Sequence, residues 1–211
     1  GLAHDGDADR LLAVDEHGAL VDGDVILAIA ALDARDRGQL PTGTVVTTVM
    51  TNLGFRQAMA DHGIAVEQTA VGDRYVLEAM RAGGHSLGGE QSGHLIFLDR
   101  ATTGDGLLTG LRLLSVVART GQPLSELAKV MRRLPQVLVN VRVADRHALE
   151  GAAAVWQAVA DEEARLGDRG RVLVRPSGTE ALVRVMVEAE TEQEAKATAD
   201  RLAAVVTTEL G

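Results

Sequence analysis

The sequence predicts an α/β fold in which a layered α/β domain is followed by a small α+β domain. Segments with strand character and segments with helix character alternate from residue 11 to residue 133, which is typical of a sheet covered by helices. Glycines stand at the ends of the predicted strands, where ligands usually meet such sheets. The alternation stops at Leu134-Pro135, so we expect the second domain to span residues 134–211.

The elements of the first domain are predicted from apolar runs bounded by turn residues and helix caps. Asn52 and Asp73 can cap helices, and Gly38 and Gly63 can end them. The strands are expected over residues 11–15, 44–50, 64–69, 86–87 and 95–98. The helices are expected over residues 25–37, 53–62, 74–81, 105–119 and 123–133.

In the second domain, the alternating pattern of residues 136–143 predicts a half-exposed strand. Two further strands are expected over residues 172–175 and 182–188, and Thr191 with Glu194 forms a capping box for a last helix. A helix over residues 145–166 is expected to turn inward Leu149, Ala153, Trp156 and Ala160. The last helix is expected to turn inward Ala195, Ala199, Leu202 and Val206.

Composition excludes several classes of function. The net charge is −9 without a basic stripe, which argues against a nucleic-acid partner. The chain has no cysteine, and its longest apolar run, residues 25–32, is too short to span a bilayer. The chain opens without Met on Leu2-Ala3, which has the character of the end of a buried strand. We therefore expect a fragment of a longer protein.

Three carboxylates, Asp5, Asp7 and Asp9, stand at every second residue of the acid loop, residues 5–10, which ends in Arg10. In an extended backbone these side chains share a face, and a slight bend at Gly6 would turn them toward a common centre. Such a group suits a hard cation, Mg²⁺ or Ca²⁺. An EF-hand is excluded because Arg10 stands where that loop needs glycine. An aspartyl-phosphate phosphatase is excluded because Arg10 follows the Asp7–Asp9 pair. A solvated acidic turn is the alternative.

The RPSGTE loop, residues 175–180, lies between two predicted strands. Arg175 supplies a planar set of donors, Ser177 and Thr179 supply hydroxyls, and Gly178 lets an anion approach the backbone. Arg184 on the next strand could add a second cation. This pattern favours a phosphate site over a plain hairpin turn.

The glycine-flanked loop, residues 88–94, is polar between two apolar strands. Glu90 and Ser92 could bind the vicinal hydroxyls of a sugar, whereas a single histidine such as His94 is more often structural. Arg74, in the segment VGDRY, could serve acid–base or phosphate chemistry, although the segment could also be only a capped helix start.

The segments DGDADR, VGDRY, GEQSGH and RPSGTE, in this order, resemble those of the α-D-phosphohexomutases. The resemblance implies four domains around a deep cleft, with a phosphoserine followed by His-Asn in the first. In this chain, residues 1–20 would be the tail of the second domain. Residues 21–133 would be the third domain, a three-layer α/β/α structure with a mixed sheet. Residues 134–211 would be the fourth, with a four-stranded sheet and helices like those of the TATA-box-binding protein.

The resemblance also implies the site. Asp5, Asp7 and Asp9 would bind Mg²⁺, Arg10 and Arg74 would be catalytic, and the other residues would bind a phosphosugar. Those binding residues are Glu90, Ser92, Gly93, His94, Arg175, Ser177, Gly178, Thr179 and Arg184.

Gln91 and VGDRY favour the branch of the family that interconverts glucosamine 6-phosphate and glucosamine 1-phosphate. A cytoplasmic enzyme, a homodimer, and neither membrane nor nucleic-acid binding are expected. The five serines of the chain lack a following His-Asn, so we expect the chain alone to be inactive. A branch acting on mannose or glucose phosphates and a non-catalytic phosphosugar-binding module are the alternatives.

Overall fold

The computed structural model describes all residues from 1 to 211. The chain forms two compact units, unit 1 (Gly1–Arg133) and unit 2 (Leu134–Gly211). Unit 1 has the strands β1 Leu2–His4, β2 Leu11–Val14, β3 Leu20–Val21, β4 Thr44–Thr48, β5 Ala65–Thr69, β6 Leu87–Gly89 and β7 Leu95–Phe97. Its helices are α1 Gly23–Asp36, α2 Leu53–Asp61, α3 Asp73–Gly83, α4 Gly106–Thr120 and α5 Leu124–Leu127.

Four strands of unit 1 form a mixed sheet in the order β5-β4-β6-β7. Strand β4 pairs in parallel with β5 and β6, and β7 runs antiparallel to β6. Successive residues of β4 point to opposite faces: Val45 packs in the same core as Phe55 of α2, whereas Val46 packs with Val76 and Met80 of α3. Helices cover both faces, so the expected three-layer arrangement is confirmed.

A second, antiparallel sheet of unit 1 carries the acid loop. Strand β1 pairs with β2 in the register Leu2↔Ala13 to His4↔Leu11, and β2 pairs with β3. Leu11 and Ala13 are fully buried, whereas Leu12 is exposed. The acid loop is therefore the connection of a hairpin that packs one face on the core.

Helices α1 and α2 of unit 1 each begin directly after a residue whose side chain caps the helix. Asp22 accepts from the Val25 N–H (3.2 Å), and Asn52 accepts from the Gly54 N–H (3.0 Å). Helix α3 differs, because Asp73 is its first residue and the cap is Gly72, with a φ of 133°. Such a conformation strongly favours glycine, so the structure places the start of this helix one residue earlier than the sequence predicted.

The helix expected over residues 123–133 is short. After α5 a 3₁₀ turn at Ala128–Val130 follows, and Met131 is extended, with φ −135° and ψ 148°. Met131 is buried in the core of unit 1. Burial of this side chain requires the chain to leave the helix before residue 131.

Unit 2 is an α+β unit with one antiparallel sheet in the order β8-β10-β9. Its elements are β8 Gln136–Arg142, α6 Ala153–Leu166, β9 Arg171–Pro176, β10 Leu182–Glu188 and α7 Glu192–Leu210. The strand–helix–strand–strand–helix order predicted from the sequence is confirmed. The four-stranded sheet implied by the resemblance is not found: the sheet has three strands. Residues 145–151, which follow β8, form a capped 3₁₀ turn.

The two helices of unit 2 differ in how well the sequence predicted their buried faces. In α7 the Thr191 hydroxyl accepts from the Glu194 N–H (3.2 Å), and all four expected inward residues are buried. In α6 the prediction was wrong: Ala153, Trp156 and Ala160 are exposed, and Val155 and Val159 are buried. Ala152 breaks the expected helix, with a ψ of 76°, so Leu149 and α6 do not share one helical phase.

No helix of the chain combines the length and the apolar character that crossing a membrane requires.

Candidate functional site

The acid loop brings its three carboxylates together. One oxygen each from Asp5, Asp7 and Asp9 lies within 4.8 Å of the others. The Oδ1 atom of Asp9 is buried without a hydrogen-bond donor. Mg²⁺ holds oxygen ligands at about 2.1 Å, so opposite ligands lie about 4.2 Å apart. At most one pair of the three can be opposite, and neighbouring ligands lie about 3 Å apart, so the three side chains fit a divalent cation after closing by up to about 2 Å.

The carboxylates converge through a turn and not through an extended backbone. The Ala8 N–H donates to the Asp5 carbonyl (3.3 Å), and Ala8 has a φ of 58°, the single positive value outside glycine. The left-handed conformation costs about 1–2 kcal/mol for a residue with a Cβ. Backbone strain of this kind concentrates at functional sites.

Arg10 is the cation of this loop. Its Nε atom lies 3.7 Å from a carboxylate oxygen of Asp5 and 3.7 Å from one of Asp9, with half of the side chain exposed. The guanidinium therefore partly balances the negative charge of the acid loop while the side chain stays half exposed.

His94 is buried and holds Asp9. Its Nε2 atom accepts from the Gly104 N–H (3.0 Å), so the ring hydrogen is on Nδ1, which donates to Asp9 Oδ2 (3.0 Å). Asp73 Oδ2 lies 3.9 Å from Nε2. Both ring nitrogens have partners inside the protein, so the structure gives His94 a supporting position behind the carboxylates.

Two glycines at the start of α4, which the sequence did not single out, hold the acid loop in place. A Cβ on Gly104 would lie 2.4 Å from the His94 ring, and one on Gly106 would lie 2.4 Å from the Arg10 carbonyl. The Gly106 N–H donates to the Ala8 carbonyl (2.9 Å). The spacing G-D-G around the helix cap Asp105 is a sequence signal for such close contacts.

The glycine-flanked loop lines a cavity of about 520 Å³ together with Arg10 of the acid loop, whereas the three carboxylates do not line it. Glu90, Ser92 and Arg10 are on its wall, and Glu90 Oε1 accepts from the Gly72 N–H (3.1 Å). Gln91 also lines the cavity, and its Nε2 atom is buried without an acceptor. Unit 1 thus brings carboxylate, hydroxyl, amide and guanidinium groups to one hollow.

Gly93 and Arg74 are placed differently from the other predicted residues. The Gly93 carbonyl accepts from the Leu11 N–H (3.1 Å), and a Cβ on Gly93 would lie 2.1 Å from the Leu11 carbonyl, so this glycine joins the loop to β2. Arg74 is 81% exposed and does not line the cavity. Its hydrogen bond to Glu78 raises the pKa of the Arg74 guanidinium.

A further arginine lines the same cavity. Arg133 Nη1 lies 2.9 Å from Asp22 Oδ2, and both residues are on the cavity wall. The sequence pattern does not distinguish Arg133, because this residue follows Arg132 at a predicted helix end, a common place for solvent-exposed cations.

In unit 2, Arg175 and Arg184 face each other in the register of β9 and β10. Burial lowers the pKa of the Arg175 guanidinium, and the charge of Arg184 lowers it further. Like charges directly opposite each other destabilise a sheet, so an anion between them would be stabilising. Arg142 is exposed two residues beyond Asn140, which pairs with Arg184, so it shares this face.

The RPSGTE loop exposes two residues and buries a third. Gly178 and Thr179 are exposed, and neither amide donates a hydrogen bond within the protein. Ser177 is buried, and its Oγ atom accepts from the Glu180 N–H (3.3 Å). Arg184 Nη2 is 3.5 Å from the same atom. The Ser177 hydroxyl shapes the loop, and the amides of Gly178 and Thr179 are the available donors.

Comparison with known protein families shows which family this chain belongs to. A family model described as the α/β/α domain III of phosphoglucomutase/phosphomannomutase matches residues 22–134, and one described as its C-terminal domain matches residues 138–205. This chain belongs to the phosphoglucomutase/phosphomannomutase family. The family resemblance read from the sequence motifs is confirmed.

Individual members of the phosphoglucomutase/phosphomannomutase family are similar to the whole chain. A phosphoglucosamine mutase of Frankia alni is 68% identical over 98% of this chain and 45% of the relative. A structure of N-acetylphosphoglucosamine mutase from Aspergillus fumigatus matches 99% of this chain and 48% of that one, with a TM-score of 0.86 and 25% identity.

A second structure of the Aspergillus enzyme is a complex with GlcNAc-6P and magnesium. It matches 100% of this chain and 49% of that one, with a TM-score of 0.81 and 26% identity. The chain thus spans slightly less than half the length of these relatives.

Proposed function

We propose that this chain is part of a phosphoglucosamine mutase, which interconverts glucosamine 6-phosphate and glucosamine 1-phosphate. The observation that carries the proposal is the presence of two complementary sets of groups in a chain 68% identical to a phosphoglucosamine mutase. Unit 1 supplies clustered carboxylates and a cavity lined by Arg10, Glu90 and Ser92, and unit 2 supplies paired arginines beside free amides. These are the groups that bind a cation, a sugar and a phosphate.

In the proposed reaction, a phosphoserine outside these residues transfers its phosphoryl group to the free hydroxyl of the sugar phosphate. The resulting bisphosphate reorients, and its other phosphoryl group returns to the serine. Asp5, Asp7 and Asp9 would hold Mg²⁺, which supplies charge neutralisation at the transferred phosphoryl group. The Aspergillus complex with magnesium supports this ion.

The other residues of unit 1 have separate proposed roles. Arg10 stabilises negative charge on the transferred group. Glu90 and Ser92 bind the sugar hydroxyls. Gly93 and His94 act through the shape of the loop and through Asp9. Arg74 contacts phosphate after leaving Glu78, and separating an exposed ion pair of this kind requires little free energy.

In unit 2, Arg175, Arg184, Gly178 and Thr179 bind the phosphate that does not react, and Ser177 shapes their loop. We also propose the domain assignment given above, with residues 1–20 as the tail of a second domain. We propose a cytoplasmic location, as the resemblance implies, and a homodimer as the assembly.

The proposal is tested with the full-length protein that contains this chain. Its kcat/KM should be highest for glucosamine 1-phosphate among glucosamine, mannose and glucose 1-phosphates. The variant Asp7→Asn should lose activity, and Asp36→Asn, at an exposed position away from the acid loop, should retain it. A preference for mannose or glucose phosphates would contradict the substrate. Binding without turnover would favour the non-catalytic module.

The chain of 211 residues should show no mutase activity when purified from a host that lacks its own mutase. Turnover by this chain would contradict the need for the phosphoserine.

A further inference from the structure

Arg146 contacts the RPSGTE loop from outside its motif. It is the first residue of the 3₁₀ turn Arg146–Gly151, whose start is capped by Asp145, which accepts from the His147 N–H (2.9 Å). Arg146 Nη1 lies 2.8 Å from the Ser177 carbonyl oxygen and 3.4 Å from the Glu180 carbonyl oxygen. One nitrogen therefore joins the two ends of the exposed dipeptide Gly178-Thr179.

Other contacts hold the base of the loop. The Ser177 N–H donates to the Leu182 carbonyl (2.8 Å), the Leu182 N–H donates to the Glu180 carbonyl (2.9 Å), and the Glu180 N–H donates to Ser177 Oγ (3.3 Å). Arg184 Nη2 also lies 3.6 Å from a Glu180 carboxylate oxygen. Gly178 has no atom within 4 Å of the place where a Cβ would be. Gly178 and Thr179 are exposed, and neither amide donates a hydrogen bond within the protein, so the carbonyls at the ends of the dipeptide are where a neighbouring segment can fix its backbone.

We propose that Arg146 is a positioning residue that preforms the RPSGTE loop for phosphate. By accepting hydrogen bonds from Arg146, the carbonyls of Ser177 and Glu180 turn to one side of the loop. The amides of Gly178 and Thr179 stay unpaired and available to one phosphate group. Ordering a short loop before binding removes part of the entropy loss that binding otherwise carries.

This inference rests on the proposed phosphate-binding function of the loop. It assigns the phosphate contacts to Arg175, Arg184 and the two amides, and it assigns the arrangement of these amides to Arg146. A residue that only attracted anions by its charge would leave the ligand-free loop unchanged, so loop order in the absence of phosphate separates the two roles.

The test uses the 211-residue chain with inorganic phosphate as the probe. Amide hydrogen exchange of Glu180 and Leu182 is measured by NMR without phosphate, and the Gly178 and Thr179 amide signals then follow a phosphate titration. In Arg146→Met we expect exchange of the Glu180 amide to rise about tenfold. We expect the phosphate affinity to fall about fivefold, as for one lost hydrogen-bonded contact.

Three further variants make the result specific. Arg146→Lys keeps a donor nitrogen and should recover most of the protection and the affinity. Arg175→Met should weaken phosphate binding and leave the exchange rate unchanged. Arg169→Met removes one exposed charge at the far end of β9 and should change neither quantity.

The outcomes distinguish the two proposals. Phosphate binding by the wild-type chain, with Glu180 exchange and phosphate affinity of Arg146→Met within about twofold of wild type, would overturn the role of Arg146 alone. If the wild-type chain fails to bind phosphate at the Gly178 and Thr179 amides, the phosphate function of the loop is wrong, and the inference falls with it. Faster exchange together with weaker binding in Arg146→Met supports it.

Discussion

His94 Nδ1 donates a hydrogen bond to Asp9 Oδ2 at 3.0 Å, although the two residues are 85 positions apart in the chain. This bond engages Oδ2, so Oδ1 is the Asp9 oxygen that remains available to a cation in the acid loop. Oδ1 is buried and accepts no hydrogen bond. A side chain that orients a ligand carboxylate usually changes metal affinity about 10-fold or more. The proposed Mg²⁺ site therefore depends on His94 without a bond between His94 and the ion.

The variant His94→Leu removes the donor to Asp9, so we expect the chain to bind Mn²⁺ roughly 10-fold more weakly. Manganese is a spectroscopic substitute for Mg²⁺, and electron paramagnetic resonance measures its free concentration in a titration. His94→Asn keeps a side-chain N–H near the place of Nδ1 and should lose less affinity. His17→Leu is the matched control, because His17 is 74% exposed. Unchanged affinity in His94→Leu would contradict the positioning of Asp9.

Gly106→Ala should destabilise unit 1 by about 2–3 kcal/mol. The added Cβ would lie 2.4 Å from the Arg10 carbonyl and 2.9 Å from the Ala8 carbonyl, and backbone atoms of the acid loop cannot move aside as a flexible side chain can. Gly110→Ala is the control in the same helix, since its nearest atom is the end of the Leu2 side chain at 3.2 Å. Alanine favours a helix by about 1 kcal/mol over glycine, so Gly110→Ala should be neutral or stabilising.

Calorimetry measures both glycine variants, and the fluorescence of Trp156, the single tryptophan, identifies the transition of unit 2. Equal stability of Gly106→Ala and Gly110→Ala would show that the start of α4 does not restrain the acid loop.

Glu162→Gln should make the stability of unit 2 less dependent on pH. Hydrogen bonds from Arg201 above all, and also from Arg165, lower the pKa of the Glu162 carboxyl to about 2. Because the folded pKa lies below the unfolded value, this carboxylate stabilises the fold above about pH 4.5, and the contribution is lost as the pH falls toward 2. After screening by solvent we expect Glu162→Gln to cost about 1–2 kcal/mol at pH 7.

Urea unfolding followed by Trp156 fluorescence measures the Glu162→Gln difference at pH 7, 5 and 3. The difference from wild type should shrink as the pH falls. Glu163→Gln, at the exposed neighbouring position, should show no such trend, and a difference that is constant with pH would contradict the ion-pair explanation.

Glu188→Gln should destabilise unit 2 by about 3–5 kcal/mol. Glu188 is fully buried in β10 and accepts from Arg171 Nε at 2.8 Å and Nη2 at 3.1 Å. Without the carboxylate the Arg171 charge stays buried without its counter-charge. The double variant Arg171→Met with Glu188→Met should recover most of the loss.

The control for the buried pair is Glu190→Gln, since Glu190 is 47% exposed and 3.7 Å from Arg169. Its change in the free energy of unfolding should stay within about 0.5 kcal/mol. Similar losses for Glu188→Gln and Glu190→Gln in the Trp156 unfolding curve would rule out a special role for burial.

Local sequence patterns predicted the elements that depend on neighbouring residues. The bounds of β10, residues 182–188, and the buried face of α7 agree with the structure, because alternation and capping act over a few residues. The inner face of α6 could not be predicted, since the break at Ala152 changes the helical phase. Similarly, the structure brings Asp5, Asp7 and Asp9 together as the spacing and a bend at Gly6 predicted, but the left-handed conformation of Ala8 was not expected. Their role as metal ligands stays a prediction.

The sequence by itself determined which chemical groups this protein has and where they lie along the chain: the acid loop, the glycine-flanked loop and the RPSGTE loop. Only the tertiary structure decided which partners each group contacts. It turned His94 toward Asp9, assigned the Ser177 hydroxyl to its own loop, and placed Arg146 on that loop from another segment. The physical reason is that residue type and spacing set local conformation, whereas hydrogen-bond partners distant in the chain are chosen by packing.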